Sequence, residues 1–400
     1  MRKRFVKLDH ENTSRRTFIR KLSMGIGATT LGLHGLSAMA GGTNPSPSPE
    51  TLEKLQNGRK LGIALVGLGN YSRGQLAPAL QETKLCKLSG IVTGSPEKIP
   101  EWKRKYNIAD KNVYNYGNFE NIKGNDDIDI IYIVLPNGMH AEYTIRAAQT
   151  GKHVICEKPM ATSVEDCQRM IDACNKAGVK LSIGYRLHFE PHNLEMMRLG
   201  QNEVYGNVEK IIAEDGFRIG KGGWRLDKEL AGGGPLTDVG IYCIQGAIYT
   251  KGEMPVSVTA QYHEVKNKEK FDEVEQGLDW QMQFKDGTVA DCKTSYAENL
   301  NLLRAETDTN EWFELSPAYS YSGIEGETSK GDLDFKQVNQ QALQMDDFAD
   351  CIINNKKTPL PGEMGLRDVY IIYAIYEAAD TGKRVSIDQN KKMLDWRIGD

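Results

Sequence analysis

The sequence predicts an α/β protein in two folded parts. A doubly wound parallel sheet is expected over residues 61–185, and an α+β part with a large, open, mostly antiparallel sheet over residues 186–400. Three observations carry this. Strand-like and helix-like stretches alternate over residues 61–185. Residues 129–135 (DIIYIVL) are almost wholly apolar, as a strand buried on both faces of a parallel sheet must be. Beyond residue 185 the strand-like stretches mostly follow one another without intervening helices.

Taken in order, residues 61–67 (LGIALVG) form an apolar strand that ends in glycine. A helix near 73–83, a strand at 85–92 and a helix near 97–106 follow. After the apolar run at 129–135 come a helix at 140–150, a strand at 153–157, a helix at 163–177 and a strand at 180–185. In the second part, strands are expected at 208–217, 257–265, 277–284, 288–296 and around 312–315, joined by polar turns such as Lys285-Asp286-Gly287. Helices are expected at 235–249, 338–354 and 364–381, and no repeat is evident.

Composition narrows the function. The chain has 400 residues, 40% hydrophobic and 26% charged, which is ordinary for a soluble globular protein. It carries 50 basic and 54 acidic residues; the first forty residues hold eight basic and two acidic, leaving 42 against 52 and a net charge of −10 for the remainder. So acidic a body argues against nucleic acid as a partner.

The N-terminal forty residues read as an export address. Ser14-Arg15-Arg16-Thr17-Phe18-Ile19-Arg20-Lys21 precedes a glycine-interrupted apolar run that is too weak for stable membrane insertion, and Ala38-Met39-Ala40 supplies a cleavage-like site. The paired arginines make the signal twin-arginine type, so the expected location is the periplasm. Residues 41–60, with three prolines, read as a linker or arm. A protein exported in folded form is cut off from the soluble cofactor pools of the cytoplasm. Any redox cofactor it uses is therefore expected to be held tightly and to be restored to its starting state within one site.

Cysteine use agrees with folding in a reducing compartment. Seven cysteines, scattered and without a C-x-x-C pair, read as small buried apolar residues. No metal site is expected; His188-x-Glu190-x-His192 is the one tempting cluster, and Pro191 interrupts it.

Gly67-Leu68-Gly69-Asn70-Tyr71-Ser72 follows the first strand and precedes a helix. A dinucleotide turn wants G-x-G-x-x-G there, for the turn, for approach of the pyrophosphate and for helix packing; Ser72 replaces the third glycine. A tight strand–helix turn without a ligand would share this pattern, but its place at the head of a βαβ series favours a Rossmann dinucleotide site. The second strand ends in Thr93 rather than the Asp or Glu that would hold a ribose 2′-hydroxyl, and Lys98 follows. Hydroxyls with a cation suit a 2′-phosphate, so NADP is expected, with NAD the alternative. Exposed helix residues would equally account for Glu97 and Lys98.

The strand at 153–157 ends in Glu157-Lys158-Pro159, where a charged pair opens onto the ligand crevice. A lysine there can bind a substrate hydroxyl and help take its proton, although a solvated turn lysine fits the same position. Asp238 and Tyr242 follow the glycine-rich Gly232-Gly233-Gly234 and Pro235, one helical turn apart. A carboxylate beside a phenol can orient it; by spacing alone, a first-turn Asp and a core Tyr fit as well.

Glu157-Lys158-Pro159, preceded by Leu135-Pro136-Asn137-x-x-His140, resembles the hallmark of the glucose–fructose oxidoreductase/inositol dehydrogenase/rhizopine-catabolism (Gfo/Idh/MocA) oxidoreductase family. Residues 156–163 (CEKPMATS), 183–186 (IGYR), 224–226 (WRL), 229–234 (ELAGGG) and 238–242 (DVGIY) are similar to its glucose–fructose oxidoreductase branch, and the likeness runs from about residue 61 to 385. The resemblance implies a catalytic trio of Lys158, Asp238 and Tyr242; many relatives have His where Tyr242 stands. It implies cofactor contacts from Gly67, Leu68, Gly69, Asn70, Tyr71, Thr93, Lys98, Tyr116, Leu135, Asn137, His140, Glu157, Lys158, Arg186, Trp224 and Arg225. It further implies a homodimer or homotetramer, and hydride transfer from an aldose, oxidised to its lactone, to a second, fructose-like sugar. A redox-neutral glycosidase or epimerase on the same fold is the alternative; a sugar-binding protein without chemistry would not need the intact trio. Substrate contacts are expected in 216–223 and 316–325, which depart from the family pattern.

Overall fold

A computed structural model describes residues 58–389; the expected export signal and most of the expected arm lie outside the described residues. The first sheet has six parallel strands, β1 (Leu61–Val66), β2 (Cys86–Val92), β3 (Val113–Tyr114), β4 (Ile130–Ile133), β5 (His153–Glu157) and β6 (Leu181–Gly184). Their order, β3-β2-β1-β4-β5-β6, reverses between β1 and β4. At such a switch point the strand ends splay apart into a crevice, and ligands of α/β sheets bind there. Every residue of β1, β4 and β6 is buried, because helices cover both faces of the sheet. The expected doubly wound domain is therefore present, with the added short strand β3 at its edge.

The second sheet has nine strands: β7 (Val208–Gly216), β8 (Ser257–Tyr262), β9 (Gly277–Gln283), β10 (Val289–Ser295), β11 (Leu300–Thr307), β12 (Trp312–Leu315), β13 (Gly326–Thr328), β14 (Gly331–Leu333) and β15 (Val385–Ser386). All its pairs are antiparallel except β7 with β10. Burial alternates along β7 and β11: Ile211, Ala213 and Asp215 face inward opposite Ala305, Leu303 and Asn301. The helix Ile241–Lys251 covers that inner face, and nearly all of it is buried.

Two helices near the C-terminus join the halves. Gln340–Ile353, expected to belong to the second part, instead buries Ala342, Met345, Phe348, Ala349 and Ile352 in the core beneath β1 and β2. Its Asp346 carboxylate accepts from the amides of Lys84 and Leu85. Gly362–Thr381 crosses from Ile171 and Leu181 of the first domain to the second sheet; a Cβ at Gly362 would lie 2.7 Å from Ile171.

One other element differs from expectation. Pro191 does not merely interrupt a strand but opens a helix, Pro191–Gln201, because proline needs no amide partner in a first turn. Glu190 caps this helix by accepting from the Asn193 amide, and the same carboxylate pairs with His192 at 2.8 Å. All seven cysteines are buried and free. No helix among the described residues is long and apolar enough to cross a membrane.

Candidate active site

The C-terminal edge of the parallel sheet carries the dinucleotide turn. Gly67 adopts φ +95°, and a Cβ there would lie 2.4 Å from the Val134 carbonyl oxygen, so only glycine lets β1 and β4 part so tightly. A Cβ on Gly69, by contrast, would project into open space, the cradle that a pyrophosphate needs. Ser72, standing where a third glycine is usual, donates from Oγ to the Gly67 carbonyl at 2.6 Å and so closes the turn itself. Leu68 is buried and Asn70 exposed beside it.

At the end of β2 no carboxylate is present. Thr93 is buried and its hydroxyl accepts from the Ser95 amide. Lys98 reaches back, its ammonium donating to the Leu68 carbonyl at 3.1 Å, which brings a cation to the glycine turn. Tyr116 lies over Gly94 and packs edge-on against Tyr143. The open glycine cradle, the absent acid and the nearby ammonium together fit a phosphorylated dinucleotide.

The expected residues between β4 and β5 are mostly structural supports here. Leu135 is buried beneath Gly67. Asn137 donates to the Ala231 carbonyl at 2.8 Å, tying the crevice wall to the glycine-rich loop of the second domain. His140 has each ring nitrogen 2.9 Å from a backbone carbonyl, of Pro159 and Leu135, and burial lowers its pKa. A neutral ring donates to one of these carbonyls, and the ring braces the loop that presents Lys158.

Glu157, Lys158, Arg186, Asp238 and Tyr242 come together at the mouth between the two sheets. The Lys158 ammonium donates to the Asp238 backbone carbonyl, lies 3.7 Å from the Asp238 carboxylate and sits 4.8 Å from the centre of the Tyr242 ring. Arg186 lies 5.1 Å from the same ring and 4.4 Å from that of Tyr321. Its guanidinium is held by the Ser320 and Tyr319 carbonyls and by Gln340. Tyr71 packs against Tyr321 at 5.7 Å, so the dinucleotide turn and the 316–325 loop meet.

Asp238 does not hydrogen-bond Tyr242, contrary to the pairing that their spacing suggests. The chain between them begins as a π-helical turn, Leu236–Gly240, which alters the ordinary one-turn register. The carboxylate instead accepts from Arg225 Nε at 2.7 Å and from the Tyr296 hydroxyl at 3.0 Å. Arg225 also lies 4.6 Å from the Trp224 ring, which is half-buried.

The charges follow from this geometry. Burial would raise the Asp238 carboxyl, but Lys158 and Arg225 outweigh it and hold the carboxyl below its ordinary range. Burial pushes Tyr242 up to about 12, against the opposing pull of Arg186 and with Glu157, Asp215 and Asp238 adding to it. Burial likewise raises Glu157 to about 6, partly offset by the Tyr132 hydroxyl, which donates to it at 2.7 Å, and by Lys158.

Tyr132, Tyr296, Tyr319, Tyr321 and Asp215 are additions that sequence reading did not single out. Asp215 carried a usable signal, since it has the inward parity of Ile211 and Ala213 in an alternating strand. No group of three or more potential metal ligands occurs among the described residues.

A fold of this kind, with a glycine cradle and a lysine–carboxylate–phenol cluster at one sheet edge, defines a nicotinamide-dependent oxidoreductase. The family model described as "Oxidoreductase family, NAD-binding Rossmann fold" matches residues 61–185, and the "GFO/IDH/MocA C-terminal domain" matches residues 194–308. The chain belongs to the Gfo/Idh/MocA oxidoreductase family. It is similar to an aldose-aldose oxidoreductase from Caulobacter crescentus, 39% identical, with a TM-score of 0.80 over 82% of this chain and 100% of that one. It is also similar to D-xylose 1-dehydrogenase [NADP(+)] from Haloarcula marismortui, 29% identical over 82% of this chain and 93% of the relative. A third relative is D-glucoside 3-dehydrogenase from Escherichia coli, 29% identical over 65% of this chain and 79% of the relative.

Proposed function

We propose that the protein transfers hydride between two sugars in one site, using a retained NADP. An aldose is the donor and leaves as its lactone; a second sugar is the acceptor and leaves as a polyol. The single observation that carries this is the Lys158 ammonium held against Asp238 and over the ring of Tyr242, at the strand edge beside the glycine turn. NADP, when bound, would supply the site that receives the hydride and gives it up again. Gly67, Gly69, Thr93 and Lys98 would hold it, with Tyr71 and Arg186 at its inner end.

The protein's own residues then need to move one proton. Tyr242 gives its phenolic proton to the acceptor's carbonyl oxygen and recovers one from the donor's hydroxyl. Its raised pKa keeps the proton in place until an acceptor arrives. In the interval the phenolate lies beside the cations of Lys158 and Arg186. Asp238, ion-paired to Arg225 and hydrogen-bonded by the Tyr296 hydroxyl, fixes Lys158 without drawing it away.

The family resemblance implied a fructose-like acceptor; the aldose-aldose relative at 39% identity extends the range to aldoses. The test is to mix D-glucose deuterated at C1 with either D-fructose or D-xylose and analyse the polyol formed. Deuterium in the polyol, with none in NADPH added to the solution, supports transfer inside one site. Deuterium appearing in the free nucleotide instead makes the protein an ordinary dehydrogenase.

Export by the twin-arginine route to the periplasm, and assembly as a homodimer or homotetramer, form part of the same proposal. Fractionation of cells expressing the full chain and its Arg15→Lys, Arg16→Lys form checks the first. Sedimentation of the purified protein checks the second.

A further inference from the structure

Asp215 is the last inward-facing residue of β7 before Gly216. It stands in one row across the second sheet, between Thr294 of β10 and Asn301 of β11. Both neighbours are committed to other partners, Asn301 also donating from Nδ2 to the Ser320 hydroxyl at 3.2 Å. Thr294 donates from Oγ1 to the Asp215 and Pro235 carbonyls, fastening the strand end to the loop that leads to Asp238. Asn301 accepts from the amides of Ala318 and Tyr319, fastening the loop that carries Tyr321 and accepts from Arg186. Among the described residues, the Asp215 side chain, only 7% exposed, takes no side-chain hydrogen bond and no ion pair.

A carboxyl placed this way costs stability. The sheet could bury an apolar residue at the same parity, as it does at Ile211 and Ala213. The groups near enough to act on its charge are Lys158 and Arg186 from the first domain, and Asp238, Tyr242 and Cys243 from the helical segment above the sheet, with Tyr319. Neither cation reaches it closely enough to pair. The remaining occupant for such a group is a ligand that brings its own hydroxyls.

We propose that Asp215 is a further substrate-contacting residue, which binds a sugar hydroxyl next to the one being oxidised. This rests on the sugar oxidoreductase reading above and deepens it. Burial raises this carboxyl to about 8, despite the opposing pull of Lys158 and Arg186, so near neutrality it carries a proton. In that form it can donate to one sugar oxygen and accept from another hydroxyl. Substrates lacking the neighbouring hydroxyl would leave a buried polar group unpaired, which is a basis for selection among sugars.

The test compares the wild-type NADP-loaded enzyme with Asp215→Asn and Asp215→Ala, using D-glucose and D-xylose as probes. Three quantities are measured: kcat and KM for each sugar, NADPH affinity by fluorescence, and thermal stability at pH 9. The inference expects kcat/KM to fall by about 10-fold or more in both variants, a loss of one hydrogen bond to a buried group. NADPH affinity should stay within about 2-fold. The Asn variant should be as stable as wild type or more so at pH 9. The sign follows from the raised carboxyl: ionising it costs the folded state, and that cost is fully present above its folded value. Unchanged sugar kinetics in both variants would overturn the inference while leaving the functional reading intact. If wild type turns over neither sugar, the functional reading fails, and stability alone decides the residue. An Asn variant less stable than wild type then makes Asp215 structural and overturns the inference too.

Discussion

The dinucleotide turn and the lysine–carboxylate–phenol cluster lie at the same sheet edge but are made differently. The turn is built from consecutive backbone: Gly67 to Ser72 close on themselves, supported by the Val92 carbonyl, which accepts from the Gly67 amide, and by Lys98. The cluster is built from side chains that the chain brings together from far apart. Lys158 and Asp238 are separated by 80 residues, Asp238 and Tyr296 by 58, and Tyr132 and Gln344 by 212. A site made of backbone is sensitive to added atoms, whereas one made of buried charges is sensitive to removed ones.

That contrast can be broken most sharply at Lys158. Lys158→Ala should lower sugar-dependent nicotinamide reduction by about 1000-fold or more, because Tyr242 loses a cation and Asp238 an ammonium. Nucleotide content after purification should stay near wild type; loss of nucleotide would merge the two regions into one. Tyr242→Phe should cost about 100- to 1000-fold in the same rapid-reaction assay, again with nucleotide retained.

The turn should respond in the opposite way. Gly67→Ala places a Cβ 2.4 Å from the Val134 oxygen at a positive φ. It should cost about 2–4 kcal/mol in denaturant unfolding and strip the protein of nucleotide, while Lys158 and Asp238 stay untouched. Lys98→Ala should be milder, moving the preference for NADP over NAD by about 10-fold when measured by competition of the two nucleotides.

The smallest effect is expected at Glu157. Its folded pKa of about 6 stands above the ordinary 4.5, so the folded state holds the proton more tightly than the unfolded chain. Ionisation therefore costs stability as pH rises through this range, and the cost is complete above about 6. Glu157→Gln should raise stability by about 1–2 kcal/mol at pH 8, and the difference should close below pH 4.5, as thermal melts across that range would show.

How much of each region could be read in advance follows from the same contrast. The parallel strands were legible because each is a short apolar run, and the turn because its residues are consecutive. Lys158, Asp238 and Tyr242 were legible only through family resemblance; their spacing suggested a phenol–carboxylate pair that the π-helical turn at Leu236–Gly240 does not make. Tyr296 escaped because its partner, Asp238, arrives from 58 residues away, which no local pattern records; Asp215 showed only its inward parity, not what it faces. Strand β11 (LNLLRAET) escaped for another reason. Leu, Arg, Ala and Glu favour helix, and pairing with β7 and β12 overrides that preference. Gln340–Ile353 was found as a helix but not as part of the first domain's core, since its amphipathic face does not say which core it enters.

The most direct test of sugar-to-sugar transfer uses the protein from Gly41 onward, purified without added nucleotide. Its absorbance is followed while D-glucose is added, and then D-fructose or D-xylose. A reduced-nicotinamide band that rises with glucose and disappears with the second sugar is the expected result. A preparation that releases no nucleotide on denaturation, or a band that no sugar discharges, would contradict the account.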